Sequence, residues 1–178
     1  MRFKTQSALF LDIDGVLNNE ETYRRPAIMT EEFVNRIVDE SYMGIDPSCI
    51  DRVNRIVRET STDIILSTSW VVVVGFEFTI NWLRWYGLKG NILGHTPRKR
   101  SLYGRDNEIL LCLSENPQLK SKKGRYVVLD DSPDVVTAKL WNPYWKMFAS
   151  HVVHTKSEIG LTDADTSKAI KILRGDLL

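Results

Sequence analysis

The fold is decided by one stretch, Leu9-Phe10-Leu11-Asp12-Ile13-Asp14-Gly15-Val16-Leu17-Asn18, which sets two carboxylates after a short apolar run. Residues 8–11 are typical of a buried parallel strand, and Gly15 marks the turn that follows it. Two acids at the end of such a strand repel each other and lose hydration unless a cation neutralises them. Mg2+ suits this place, because it binds oxygen ligands and is commonly held by carboxylates together with a substrate phosphate.

The length and composition indicate one globular domain. The chain has 178 residues, of which 43% are hydrophobic and 26% are charged, which is enough for one core and short for two. A formal net charge of +1 gives no overall attraction to nucleic acid or acidic membranes. No apolar run approaches the roughly 18 residues needed to cross a bilayer, and the N-terminus leads into a strand rather than a signal-peptide cleavage site. We therefore expect a cytoplasmic protein with a single domain over residues 1–178.

The rest of the chain alternates helix and strand signals. After the first strand, the predicted helices are 47–60, 76–86, 104–114 and 163–174, with a mixed helical segment at 135–148, and the predicted strands are 63–68, 91–93, 125–129 and 151–154. The helices follow apolar positions repeated every three to four residues, and Asp46 and Pro47 form a typical helix start. This alternation predicts an α/β fold, a doubly wound, Rossmann-like parallel sheet of about five strands covered by helices.

Residues 19–44 interrupt the alternation with a polar and charged segment. Arg24 and Arg25 fall in an extended piece, and Thr30 begins one amphipathic helix as its N-cap, with acids in the first turn. The segment is too short to bury a core of its own. We therefore predict a flap, or minimal cap, rather than a second domain.

Polar side chains stand at the ends of three predicted strands. They are Asp12 and Asp14, Ser67 and Thr68, and Asp130 and Asp131. Ligands of open parallel sheets bind at the carboxyl ends of the strands, near the point where the strand order reverses, so these residues are expected to converge. Phosphoryl transfer from a monoester needs an in-line nucleophile, cations for the phosphoryl oxygens and an acid for the leaving oxygen. The three strand ends offer candidates for these roles.

The stretch around Asp12 and Asp14 resembles motif I of the haloacid dehalogenase (HAD) superfamily, which reads Asp-x-Asp-Gly after a hydrophobic strand. In that family the first Asp attacks phosphorus and becomes an aspartyl-phosphate. The second is a general acid and base, and its backbone carbonyl binds Mg2+. The resemblance therefore implies a HAD-like fold, with Asp12 as nucleophile and Asp14 as acid and base. Taken alone, the residues also fit an ordinary turn rich in Asp and Gly.

Motif II of the same family is a Ser or Thr after the second strand that hydrogen-bonds the phosphoryl group. Ser67 and Thr68 both qualify, and Thr68 is preferred because it matches relatives that read Thr-Ser-Pro or Thr-Thr-Trp. Motif III is a Lys or Arg near the start of the helix before the fourth strand. Arg105 fits an Arg-Gly-x-Glu-Ile pattern, although an Asp replaces the Gly, so Lys99 and Arg100 stay as alternatives.

Motif IV is an acidic pair after a strand, and the residues Asp130-Asp131-Ser132-Pro133 match it. Relatives that read Asp-Asn-Ser-Pro use the second residue of the pair as the direct metal ligand. The resemblance therefore makes Asp131 the ligand and Asp130 its neighbour. With Asp12 and the backbone carbonyl of Asp14, they are expected to form a Mg2+ site.

A late Gly160-Leu161-Thr162 also recurs in the branch known as the HAD domain of "Swiss Army knife" RNA-repair proteins. The resemblance implies a Mg2+-dependent phosphomonoesterase that acts through an aspartyl-phosphate. A site roofed only by a flap tolerates a nucleotide or the phosphorylated end of a nucleic acid, with Arg24 and Arg25 as contacts to the phosphate backbone. A phosphatase of small metabolites such as sugar phosphates, and a non-catalytic, regulatory phosphate-binding module, are the alternatives. No membrane and no obligate protein partner is expected.

Overall fold

A computed structural model of the chain describes residues 2–23, 44–97, 104–121, 125–132 and 148–176. Several sequence-based predictions lie outside these residues: the extended piece with Arg24 and Arg25, the helix predicted from Thr30, the alternative basic residues Lys99 and Arg100, and the helical segment at 135–147. The boundaries of the single domain and of the flap at 19–44 accordingly stay predictions.

The described residues form one parallel sheet of five strands. These are β1 (Ser7–Leu11), β2 (Asp63–Leu66), β3 (Ile92–His95), β4 (Arg125–Asp130) and β5 (Val152–His154). Their spatial order is β3-β2-β1-β4-β5, and each neighbouring pair is parallel. The chain thus builds the sheet outward from β1 to one edge and then returns to the other side of β1. This arrangement confirms the predicted doubly wound α/β fold.

The helices begin and end close to the predicted residues. They are α1 (Glu20–Tyr23), α2 (Pro47–Thr60), α3 (Phe76–Trp85), α4 (Arg105–Glu115) and α5 (Asp163–Arg174), with a π-helical turn at Val71–Gly75 and a 3-10 turn at Pro117–Lys120. Asp46 caps α2 by accepting from the backbone N–H of Ser48, and Thr162 caps α5 in a capping box with Asp165. Within the described parts of the chain, no helix is both long and apolar enough to cross a membrane.

A hydrophobic core lies on each face of the sheet, because side chains alternate between the faces of a strand. Leu9 and Leu11 belong to the larger core cluster, which includes buried residues of α2, α3 and α5. Ala8 and Phe10 belong to the second, which includes buried residues of α4. Strand β1 is therefore packed on both faces, which explains its continuous apolar sequence. This packing gives the residues that follow Leu11 a rigid base.

Two strand boundaries differ from the prediction and affect the site. Strand β2 ends at Leu66, so Ser67 and Thr68 follow the strand rather than belong to it. Strand β3 extends to His95, two residues beyond its predicted end. The β2–β3 register shifts between Ile64 and Ile65. The alternation of polar and apolar residues in the sequence does not predict this irregularity.

Candidate active site

The ends of β1, β2 and β4 lie side by side, so the polar residues that follow them share one edge of the sheet. The backbone N–H of Asp12 donates to the oxygen of Leu129 at 3.1 Å, and that of Ser67 donates to the oxygen of Leu11 at 2.8 Å. Sheet-like pairing therefore continues past the last residues of β1 and β2. It fixes the backbone of the two predicted motifs relative to each other.

Three carboxyl groups meet at this edge, those of Asp12, Asp130 and Asp131. One oxygen from each lies within 4.8 Å of the others. Asp12 and Asp130 are buried, and Asp131 is partly buried. The structure thus brings the candidate nucleophile together with both members of the predicted acidic pair, Asp131 and its neighbour Asp130, which are both expected at the Mg2+ site.

Gly15 makes room for one of these carboxylates. Its backbone has a φ of +67°, in the left-handed region that favours glycine. A β-carbon at this position would overlap the carboxyl group of Asp131. The Gly of the Asp-x-Asp-Gly stretch therefore serves two purposes, a tight turn and close approach of the acid from β4.

Arg105, the first residue of α4, brings a positive charge to the acids. Its Nη2 lies 3.3 Å from Oδ2 of Asp12, and its Nε lies 3.5 Å from Oδ2 of Asp130. The guanidinium side chain is only 13% exposed. When all four groups are ionised, the three clustered carboxylates and this one guanidinium leave two negative charges. The group thus has a net charge that a divalent cation would balance.

Burial shifts the titration of these acids. It raises the pKa of Asp12 to about 6, although the charge of Arg105 and the N–H of Ile13 favour the ionised form. Burial, together with the nearby charge of Asp12, raises the pKa of Asp130 to about 8. The pKa of Asp131 is also raised, again mainly by burial. A bound cation would favour ionisation of all three, since an adjacent positive charge stabilises a carboxylate.

The donor set of the cluster fits Mg2+. All three members offer carboxylate oxygens, the hard ligands that Mg2+ prefers. Among the described residues, this cluster contains no His nitrogen or Cys sulfur of the kind that selects zinc or copper. The three carboxylates can therefore hold Mg2+, the metal predicted from the sequence.

Asp14 occupies a different environment, and its carboxylate is not a member of the cluster. Its Oδ1 accepts from Nδ2 of Asn18 at 2.9 Å, and its Oδ2 accepts from Nε1 of Trp70 at 2.9 Å. Asn18 in turn accepts from the backbone N–H of Gly15 at 2.7 Å, which orients its amide. The two acids of the first motif are thus separated, one beside a guanidinium and the other between two neutral donors.

The two candidates for motif II differ in their contacts. The hydroxyl of Thr68 lies close enough to the carboxylate of Asp12 to lower the pKa of that acid, and it accepts from the backbone N–H of Trp70 at 3.4 Å. The hydroxyl of Ser67 is buried and has no hydrogen-bond partner within the described parts of the chain. Thr68 is therefore the one that contacts the candidate nucleophile, which favours it for the predicted role.

Strand β5 and the residues that follow it also contact the site, and these contacts were not predicted from the sequence. Nε2 of His154 lies 2.9 Å from the backbone oxygen of Asp131, and the hydroxyl of Thr155 donates to the backbone oxygen of Gly15 at 2.8 Å. The backbone N–H of Leu161 donates to the oxygen of Val16 at 2.9 Å. The recurring Gly160-Leu161-Thr162 was a visible signal, but its contact with the first motif could not be read from spacing.

Comparison with known proteins gives one match. The sequence profile described as the HAD domain in Swiss Army Knife RNA repair proteins matches residues 8–166. That range runs from β1 into α5 and includes all the site residues described above. No curated protein and no solved structure matches the chain significantly.

Proposed function

The chain belongs to the family of HAD domains in Swiss Army Knife RNA repair proteins, and from this premise we propose that it is a Mg2+-dependent phosphomonoesterase acting through an aspartyl-phosphate. Membership of a HAD-domain family implies phosphatase-type hydrolase activity. The proposed mechanism through an aspartyl-phosphate rests on one observation. Asp12 lies beside Arg105, Thr68 and two further carboxylates.

Asp12 is the proposed nucleophile. Its Oδ1 accepts from the N–H of Ile13 at 2.8 Å, and its Oδ2 faces Arg105. The side chain is therefore held in a defined direction before a substrate arrives. Its attack forms a bond from a carboxylate oxygen to phosphorus while the bond from phosphorus to the leaving oxygen breaks. Arg105 and the hydroxyl of Thr68 stand beside this carboxylate, where they bind the phosphoryl oxygens.

Asp14 is the proposed acid and base. It gives a proton to the leaving oxygen in the first step. In the second step it takes a proton from the water that attacks phosphorus, the bond to Asp12 breaks, and phosphate is released. The enzyme thereby returns to its starting protonation state. The carboxylate of Asp14 is held by Asn18 and Trp70 and is not a member of the cluster proposed to bind the metal, which suits this role.

The carboxylates of Asp12, Asp130 and Asp131, with the backbone carbonyl of Asp14, are the residues proposed to hold Mg2+. When bound, this ion neutralises charge on the phosphoryl oxygens and reduces their repulsion from the acids. Arg105 alone does not balance the site, because it faces three carboxylates.

The proposed substrate is a nucleotide or the phosphorylated end of a nucleic acid. The description of the family as a domain of RNA repair proteins supports this class, and so does the short segment at 19–44, which cannot form a separate cap. The cytoplasmic location, and the absence of an obligate protein partner, remain sequence-based predictions.

The test is phosphate release from p-nitrophenyl phosphate, sugar phosphates, nucleoside monophosphates and oligoribonucleotides with a 3'- or 5'-phosphate. We expect turnover that requires Mg2+, is lost in Asp12→Asn and persists in Asp51→Asn, a control at an exposed acid on α2. Preference for sugar phosphates would favour the small-metabolite alternative. No turnover of any substrate with Mg2+ present would favour the phosphate-binding module.

A further inference from the structure

The indole of Trp70 contacts the candidate general acid. Its Nε1 donates to Oδ2 of Asp14 at 2.9 Å. The ring is only 6% exposed and belongs to the larger core cluster. A ring packed in this way cannot turn without displacing its neighbours, because protein interiors are close-packed. The direction of its N–H is therefore set by the core and not by the substrate.

Each oxygen of the Asp14 carboxylate receives one N–H, from Trp70 on one side and from Asn18 on the other. An indole N–H and an amide NH2 only donate, so neither can take up the proton that Asp14 transfers. The pair of donors thus fixes the orientation of the carboxyl group.

The backbone of the same residue is tied to the other half of the site. Its N–H donates to the hydroxyl of Thr68 at 3.4 Å, and that hydroxyl lies near the carboxylate of Asp12, whose pKa it lowers. Trp70 therefore connects the candidate acid with the residues proposed to bind and attack the phosphoryl group. Within the described parts of the chain, the side chain of Asn18 makes no such connection, because its other hydrogen bond accepts from the backbone N–H of Gly15 in the same turn.

We infer that Trp70 is a positioning residue that aligns Asp14 for proton transfer to the leaving group, an inference that rests on the proposed phosphatase function. In this step the bond from phosphorus to the leaving oxygen breaks, its electron pair stays on that oxygen, and the proton of Asp14 moves to it. A misaligned acid slows this transfer steeply. The effect depends on the leaving group, because an alkoxide needs the proton and a nitrophenolate departs without it. Trp70 thereby matters most for phosphates on sugar hydroxyls.

Trp70→Phe is the variant that tests the inference, because it removes the N–H and keeps an aromatic ring in the core. Trp82→Phe is its matched control. Trp82 lies on α3 in the same core cluster, is 1% exposed, and has no part in the proposed site. The melting temperatures of both variants measure the packing change that they share.

The measurement is kcat/KM for p-nitrophenyl phosphate and for a nucleoside monophosphate, because kcat/KM reports the steps up to formation of the aspartyl-phosphate and excludes its hydrolysis, in which Asp14 acts as base for both substrates. In Trp70→Phe we expect kcat/KM for the nucleotide to fall about tenfold or more, and kcat/KM for the aryl phosphate to fall less than about threefold. The ratio of the two rates should stay at the wild-type value in Trp82→Phe.

Equal losses on both substrates in Trp70→Phe, or an equal change of the ratio in Trp82→Phe, would reduce Trp70 to a packing role and overturn the inference. A wild-type protein that hydrolyses neither phosphate would remove the proposed function and this inference together. Wild-type turnover with an unchanged ratio in Trp70→Phe would remove the inference alone.

Discussion

The guanidinium of Arg105 lies 3.3 Å from the carboxylate of Asp12, although 93 positions separate the two residues in the chain. Burial and the guanidinium act in opposite directions on this acid, and burial is the stronger, since the pKa of Asp12 is raised to about 6. At pH 7 the carboxylate is then about nine-tenths ionised. Arg105 thus favours the ionised form of a buried carboxylate, as the nucleophilic role proposed for Asp12 requires.

Replacing Arg105 with Met removes that charge and should lower kcat by about 10²–10³, the loss typical of a group that stabilises transition-state charge. The acidic limb of the pH–rate profile should also move to higher pH, because burial of Asp12 then acts unopposed. Steady-state kinetics from pH 5 to 9 measure both effects. Arg58→Met, at an exposed position of α2, is the control. An unmoved acidic limb would contradict the electrostatic role of Arg105.

Substituting the two acids of the first motif should give different kinetic results. Asp12→Asn should abolish turnover, because an amide is a far poorer nucleophile. Asp14→Asn keeps the backbone carbonyl but loses the acid and base, with a fall of roughly 10²–10⁴ in rate. With p-nitrophenyl phosphate, Asp14→Asn should release a burst of nitrophenolate before a slow phase. The leaving group needs no acid, whereas hydrolysis of the aspartyl-phosphate needs Asp14 as the base that takes a proton from water. Near-full activity in both variants would end the aspartyl-phosphate hypothesis.

Without metal, the protein should lose stability as the pH rises. The folded-state pKa values of Asp12 and Asp130 are about 6 and about 8, above the ordinary value of 3.8. Between these values the folded state binds more protons than the unfolded state, so stability is fully present below about pH 4 and is lost as the pH rises through 6 and 8. In EDTA the melting temperature should fall on the order of 10 °C between pH 5 and pH 8.5.

Mg2+ should reverse this trend, since it binds the ionised acids and stabilises the folded state most at high pH. Asp130→Asn should flatten the profile in EDTA, because the group with the larger shift no longer titrates. Thermal melts at a series of pH values, with and without Mg2+, measure both effects. A profile in EDTA that rises with pH would refute the assignment of these raised pKa values.

Gly15→Ala should weaken metal binding in addition to straining the backbone. Gly15 and Gly87 both have positive φ, +67° and +87°, so Ala costs about 1 kcal/mol of stability at each through strain. Only at Gly15 would the new methyl group overlap the carboxylate of Asp131, whereas the space beside Gly87 is open. Calorimetric titration with Mg2+ should show a loss of affinity of about tenfold or more in Gly15→Ala and none in Gly87→Ala. Equal affinities would remove Asp131 from the metal site.

A phosphorylated oligonucleotide should be hydrolysed at least as well as the mononucleotide, because a segment as short as 19–44 is predicted to form only a flap, and a flap would leave room for a long substrate. The advantage should shrink as salt rises, since screened phosphate contacts contribute less. Replacing Arg24 and Arg25 together with Ala should remove the salt-sensitive part and leave hydrolysis of p-nitrophenyl phosphate nearly unchanged. If the protein prefers mononucleotides, and this preference changes neither with salt nor in the double variant, a small-molecule phosphatase is favoured.

The amino-acid sequence by itself determined the order of strands and helices, the helix caps, and the candidate residues at three strand ends. These features are local. Asp46 and Thr162 cap their helices through neighbours within three residues. A strand that is buried on both faces has a continuous apolar sequence, independent of which elements pack on it. The convergence of the acids also followed from sequence, because parallel strands bring their carboxyl ends to one edge.

Only the tertiary structure decided which atoms meet at that edge. Thr68 lies beside Asp12 and lowers its pKa, the carboxylate of Asp14 stays outside the cluster of the other acids, and Trp70 holds Asp14. Spacing along the chain cannot specify these contacts, because a shift of one residue in the register between strands turns each side chain to the opposite face. The register of β1 with β2 and β4 is set by packing of helices on both sides of the sheet, so the direction of each side chain after the strand ends is a property of the assembled core.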